Sequence, residues 1–484
     1  MLAPAAFGVA LIAVVALIAS GITSGPAGSS PSGRSPVPTS STSSVVANGA
    51  SPADQPASES APASAVPDGS AGASTVAHAA GRIAVIDENG VLSTTDDVGG
   101  GIVSYAVPGI VFGFPAWSPD GTRIAAVGYG PGDTSIYVFS ADRDGSTVPR
   151  DPVVIYRSVD RPPFYLYWTP DGRQLAFLAT EPTGISLRIA PADGSAPLDG
   201  SGQGAVIRVG SPLYYELADD GRFLLHVGVG AGSFTGEVGA GGAGTTAKLP
   251  GTGDFRTAAA SRDGRYLAYV HANADGSGTI VVASHDATTQ HGLNVFGPAA
   301  LEFDPTGDTL ATIGALALDR QGSAFPVGPL RLIDATSGSV RTLLSSSVIG
   351  FFWAPDGRTI ATLSLVAGGA TADTGPVLAR AVAVASAAPL ATPHPGADVA
   401  LAFVDVATGT VRSQHVVRLA DHFIGELLPY FDQYALSHRF WSPDGTAILL
   451  PLVDAAGRTQ LVALPADGAA ARPIADGVGG FWSP

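Results

Sequence analysis

The chain has 484 residues, 45% of them hydrophobic but only 7% aromatic, with 62 glycines and 38 prolines. Its formal net charge of −16 argues against a nucleic-acid or anionic-membrane surface, both of which demand a basic face. It has no cysteine, which excludes disulfides, thiol nucleophiles, iron–sulfur clusters, thiolate zinc sites and a lipidated cysteine anchor.

Leu2 to Ile22 is an almost unbroken apolar run without charge, long enough to cross a bilayer as one helix. Residues 1–23 are therefore expected to be a transmembrane anchor or a signal peptide. The missing basic n-region favours the anchor, while the small residues Ala19-Ser20-Gly21 leave cleavage open. Residues 24–78 are dominated by Ser, Pro, Ala, Gly and Thr and cannot bury enough apolar surface to offset ordering, so they read as a disordered linker.

From residue 79 to 484 the sequence repeats itself. Trp117-Ser-Pro-Asp-Gly121 returns as Trp168-Thr-Pro-Asp-Gly172, Trp353-Ala-Pro-Asp-Gly357 and Trp441-Ser-Pro-Asp-Gly445, each followed by a short strand-like run. Weaker copies stand at Ala218-Asp-Asp-Gly221, Ser261-Arg-Asp-Gly264 and Asp304-Pro-Thr-Gly307. Successive turn glycines lie 43 to 51 residues apart up to Gly357, after which 88 residues pass. An all-strand unit recurring at this period predicts a β-propeller. The long interval reads as one loop, residues 366–398, inserted into one blade.

The chain ends inside a copy, at Phe481-Trp482-Ser-Pro484, and the missing second half, Gly81-Arg-Ile-Ala-Val-Ile86, opens the body. Pairing the two would remove an open sheet edge and bring the count to eight four-stranded blades, with seven as the alternative. In each copy Ser or Thr, Pro, Asp and Gly fit a type I turn whose glycine takes a positive φ. Trp117, Trp168, Trp353, Trp441 and Trp482 then read as structural, packing between blades.

These repeated phrases resemble the TolB-like, WD40-like propeller repeats of bacterial envelope proteins, over roughly residues 81–484. The resemblance implies a propeller in the cell envelope that binds protein partners. The α/β domain that precedes the propeller in TolB has no counterpart here, so TolB's particular role is not implied.

Motifs for chemistry are sparse. No Gly-x-Ser-x-Gly elbow is present, which excludes the serine hydrolases found fused to related propellers. Asp142-Arg-Asp144-Gly145 and Asn273-Ala-Asp275-Gly276 have partial calcium-loop spacing without the bidentate acid, and read as hairpin turns. The nine histidines show no metal-binding spacing, although His415, His422 and His438 fall in one blade region. The glycine runs from Gly228 and from Gly239 lack the Gly-Lys-Ser/Thr of a phosphate loop. No catalytic residue, cofactor or metal is therefore expected.

The unusual sequence falls on the face opposite the Ser-Pro-Asp-Gly turns: the 366–398 loop, Leu318–Phe325, Asp160–Tyr165 and Asp421–Tyr434. The last of these predicts a short helical turn capped by Asp421 and ending before Pro429. It is read either as a plug over the channel mouth or as part of a binding surface. In the second reading Arg161, Phe164, Tyr165, Asp421, His422, Tyr430, Tyr434 and Arg439 gather near the opening, aromatics and arginine being common anchors. The function expected is a membrane-tethered, extracytoplasmic, monomeric propeller that binds a protein or peptide without catalysis. The alternatives are a small-ligand or carbohydrate sensor and, third, a channel-mouth lyase or hydrolase.

Overall fold

The computed structural model describes residues 81–141, 151–198, 204–228, 234–239, 247–248, 258–286, 288–315, 325–366 and 396–484. The expected anchor (1–23) and linker (24–78) lie outside these residues. So do Asp142–Gly145, residues 318–324, most of the glycine runs from Gly228 and Gly239, and all of the 366–398 loop except its ends. Among the described residues, no helix is long and apolar enough to cross a membrane.

The described body is a β-propeller built from antiparallel sheets. Arg82–Ile86, Leu92–Asp96 and Val103–Tyr105 form one sheet whose inner edge is the last strand of the chain, Gly479–Trp482. Ile83 stands opposite Trp482 and Ile86 opposite Gly479. Three more sheets of four follow in order, with inner strands Val111–Trp117, Pro163–Trp168 and Leu213–Leu217. From Ala258 onward the units are joined by two long strands, Gln290–Phe303 and Val340–Trp353. The first half of each completes one hairpin stack and its second half opens the next. Past the loop, Thr359–Leu365 pairs with Ala397–Asp405 in register from Leu365 opposite Val399.

One turn geometry is reused at every copy. In the first, the Gly121 N–H donates to the Ser118 carbonyl at 2.9 Å with Gly121 at φ 68°, and the Ser118 N–H donates to Arg123. Asp120 Oδ1 accepts the Thr122 N–H at 3.0 Å and the Ser118 hydroxyl at 2.5 Å, holding its carboxyl below the usual range despite some burial. The weak copies close alike, Gly221 on Ala218, Gly264 on Ser261 and Gly307 on Asp304. Proline presets this turn, but the left-handed glycine and the backbone bond define it. At Asn273–Ser277 the Asp275 carboxylate likewise accepts its own turn's Ser277 N–H and hydroxyl.

The repeat tryptophans do more than pack. The Trp117 indole N–H donates to Phe481 O at 3.1 Å, Trp168 to Ala116 O at 2.9 Å, Trp353 to Glu302 O at 3.3 Å and Trp441 to Phe352 O at 3.1 Å. Each bond reaches the inner strand of a neighbouring unit, one residue before that strand's own Trp or its equivalent Phe303. Trp482 departs from this pattern. Its indole nitrogen is buried without a hydrogen bond among the described residues, and the carbonyl in the corresponding place, Phe440 O, accepts the Leu449 N–H instead.

Residues 421–437 form the one long helical connection among the described residues. It is longer than the sequence suggested. A π-helical turn, Phe423–Leu427, passes into a 3-10 turn, Leu428–Tyr430, and then into the helix Phe431–Ser437, here α1. Pro429 does not end the segment, because at the start of a new turn its missing N–H has no intrahelical acceptor to leave unpaired. The N-cap position of the π-helical turn is His422, which makes no side-chain capping bond.

Candidate functional site

The segment 421–437 packs among the inner strands of several units. Helix α1 packs against the strands Pro163–Trp168, Leu213–Leu217, Gln290–Phe303 and Val340–Trp353, which belong to four different units. Phe431 lies edge-on to Phe351 and Phe352, at 5.2 and 5.8 Å between ring centres. Tyr434 stacks on Phe114 at 5.9 Å and meets Tyr165 edge-on at 5.4 Å, and the Tyr165 hydroxyl donates to Gln433 O.

Phe114 and Tyr165 hold the same place in their strands, three residues before the tryptophan. Both have left-handed φ, 52° and 48°, beside a β-bulge. Such a conformation costs of order 1–3 kcal/mol in a non-glycine residue. Here it accompanies two rings set against Tyr434. In the unit of Trp353 the same place is Gly350, where an added Cβ would stand 3.0 Å from Leu428. The glycine leaves room for the plug.

Placed on this frame, the candidate residues of the far face do not form one surface. Tyr165 and Tyr434 are 2% and 4% exposed and belong to the core around the plug. His422 pairs with Glu426 at 3.3 Å; burial opposes its charged form, but Glu426 raises its pKa overall. Tyr430 and Phe164 are partly buried against the same core. Arg161 pairs with Glu181 at 3.0 Å and lines a separate cavity of about 370 Å³. Asp421 is half-buried at the start of the segment. His438 is 1% exposed, whereas His415 stands on the strand Val411–Leu419, and burial pushes the His438 imidazole down to about 3. Among the described residues no group of three His, Cys, Asp or Glu side chains could hold a metal ion.

Arg439 alone of the eight lines a cavity of about 590 Å³ at the turn end of the channel. The plug closes this cavity from within, through Ala435 to Phe440, and the turn residues Pro119, Pro170, Asp219, Arg262, Pro305 and Pro355 frame its mouth. The walls come from one recurring position, the residue before the tryptophan or its equivalent. Tyr167, Glu216, Glu302, Phe352 and Phe440 occupy it.

The polar groups cluster in three consecutive units, those with the weak turns. Where the strong copies have proline, these carry Asp219 and Arg262, and Asp304 replaces the serine. Three departures in a row from an otherwise repeated phrase are the sequence signal that marks this sector.

Glu216 is 7% exposed, and its Oε2 accepts the Ala260 N–H at 2.7 Å. Burial pushes its carboxyl up to about 8, with the nearby Asp432 carboxylate adding to the effect. Glu302 is 9% exposed, and its Oε2 has no hydrogen-bond partner among the described residues. Burial, then Asp432 and Glu216, hold it well above the usual carboxylate range. Both side chains are therefore biased toward the protonated form. Arg439 is open to the cavity yet ringed by protein, and burial lowers its pKa, the neighbouring Arg262 charge lowering it further.

No family model matches the chain, and no curated protein matches it. Among solved structures it is similar to TolB from Acinetobacter baumannii, at 19% identity and a TM-score of 0.33, over 54% of this chain and 65% of that one. It is also similar to an oligogalacturonate lyase in complex with manganese, at 13% identity and a TM-score of 0.42, over 82% and 86% of the two chains. A third similarity is to the dihydro-heme d1 dehydrogenase NirN in complex with DHE, at 14% identity and 0.48, over 83% and 75%. At these scores none of the similarities bears on ligand or activity. The folded body is similar to TolB propellers in kind, and its pairing pattern stands on the strands themselves.

Proposed function

We propose that the protein is a non-catalytic binding propeller that takes part of a partner protein or peptide into the turn-face mouth of its channel. The observation that carries this reading is the blind cavity of about 590 Å³, walled by aromatic rings and entered past Arg262 and Arg439. Concave sites with aromatic walls and a few placed polar groups are the usual seats of ligands, and arginine and aromatic residues the usual anchors. The far end of the channel is filled by side chains of the plug, which leaves the turn face as the open approach. The blind end also suits a small-ligand or carbohydrate sensor, the second reading.

The body is taken as eight four-stranded blades whose ring closes where Gly479–Trp482 adds to Arg82–Ile86, a pairing that would leave no free inner edge. The apolar run Leu2–Ile22 supports a tether that holds the propeller outside the cytoplasm.

The test is site-specific photocrosslinking of the full chain in its native envelope. A crosslinker at Pro170 or Asp219 reports on the mouth, and one at Val159, 84% exposed between two strands on the far face, reports on the other side. One protein captured from both mouth positions and not from Val159 is expected. Capture from Val159 alone would move the binding surface to the far face.

A further inference from the structure

Two guanidinium groups in this cavity have no ion pair among the described residues, although carboxyl groups are close by. Arg262 is an exposed turn residue that lines the opening, and its charge acts on Glu216, Glu302, Tyr167 and Arg439. Arg439 reaches the same space from the strand that follows the plug. Opposite them lie Glu216, bonded through one oxygen, and Glu302, nine-tenths buried with one oxygen unpartnered.

The surrounding charges explain why these acids and arginines coexist unpaired. Asp432 on α1 acts on both glutamates and favours their protonated forms. A protonated carboxylic acid offers an O–H donor, and a guanidinium offers only donors. Tyr167 spends its hydroxyl on Leu217 O at 3.4 Å, and His438 meets the Ser437 hydroxyl at 2.6 Å through Nδ1 while its buried Nε2 has no partner among the described residues. Asp304 accepts from Thr306 and Thr309 within its own turn. Asp219, at the rim, stands as the exposed carboxylate of the mouth. What faces the empty space is thus a set of donors beside an aromatic wall.

We infer that the cavity recognises a carboxylate group, held between Arg262 and Arg439 on one side and Glu216 and Glu302 on the other. This rests on the cavity being the binding site proposed above, and it names the chemistry of what enters: an acidic side chain or a chain terminus carried on an apolar neighbour. Guanidinium–carboxylate bonds are charge-assisted and directional, so the group is selected and not merely tolerated. As pH rises through about 8 Glu216 loses its proton and turns from a donor into a repelling charge. Binding of a carboxylate therefore weakens on the alkaline side, whereas binding of an amine would strengthen there.

The experiment titrates the full-length protein with 3-phenylpropionate, 3-phenylpropanamide and 3-phenylpropylamine, read by the fluorescence of Trp117, Trp168, Trp353 and Trp441 around the cavity. At pH 6.5 the carboxylate should saturate the signal at least tenfold more tightly than the amide, and its affinity should fall at least tenfold by pH 9. R262Q and R439Q should each weaken it about tenfold with the thermal midpoint unchanged, R262Q being the safer variant because that side chain is exposed. Two amidated peptides alike except for an internal glutamate, and a third with a free C-terminus, identify which carboxylate source is preferred. Equal binding of the amide, tighter binding of the amine, affinity rising with pH, or no saturation by any probe would each overturn carboxylate recognition. Should mouth crosslinks persist while phenylpropionate fails, the binding propeller stands without this chemistry. Should phenylpropionate bind while the mouth captures nothing, the partner reading falls instead.

Discussion

Burial holds the Glu216 carboxyl near 8 and the His438 imidazole near 3, and the two have opposite effects on stability. A carboxyl whose folded pKa lies above its ordinary value of 4.5 favours the folded state at low pH, and that contribution is lost as pH rises toward 8. A histidine depressed from 6.5 favours folding at higher pH and loses that contribution as pH falls toward 3. Replacing Glu216 by Gln removes the first slope while keeping a donor at the site. The melting midpoint of E216Q relative to the parent should accordingly rise between pH 5 and about pH 8 and level off above it. A difference that stays constant across that range would mean Glu216 is not protonated in the folded chain. At this scale the sequence held more than a motif search extracts. Asp219, Arg262 and Asp304 are visible as breaks in a repeated phrase, but Glu216 and Glu302 are not, because their position one residue before the tryptophan has no constant residue to depart from.

The segment 421–437 is the element that decides how the channel is used. Its sequence announced a helix start and aromatic weight, and the plug reading agrees with where the rings lie. It did not announce that the helix would run past Pro429, nor that Tyr434 would be received by two strained residues and Leu428 by a glycine gap. Local pattern reports propensity, and these contacts join residues more than 70 positions apart. Truncating Phe431 to Ala should cost about 3–5 kcal/mol, the range for emptying a buried ring site. A denaturant midpoint for F431A within experimental error of the parent would show that the plug does not bear on the core. Deleting 421–434 would remove this packing altogether, so surface labelling at the mouth is the cleaner probe of binding.

For the whole molecule, the pairing of Gly479–Trp482 with Arg82–Ile86 links the last residues to the first strand of the body. The same strand supplies the Phe481 carbonyl to Trp117. Removing residues 479–484 would expose a strand edge and strip that indole of its acceptor. The truncated chain should lose its single cooperative melting transition and associate through the bared edge, measured by calorimetry and light scattering. A monomer melting as sharply as the parent would refute closure through this strand. The turn phrases by themselves determined the repeat and its hairpins, since a type I turn with a left-handed glycine is specified within five adjacent residues. The tryptophan bonds between units, the plug and the charged cavity were decided by tertiary structure alone. Each depends on which strands meet in space, and burial there, not residue type, biases Glu216 and Glu302 toward their protonated forms.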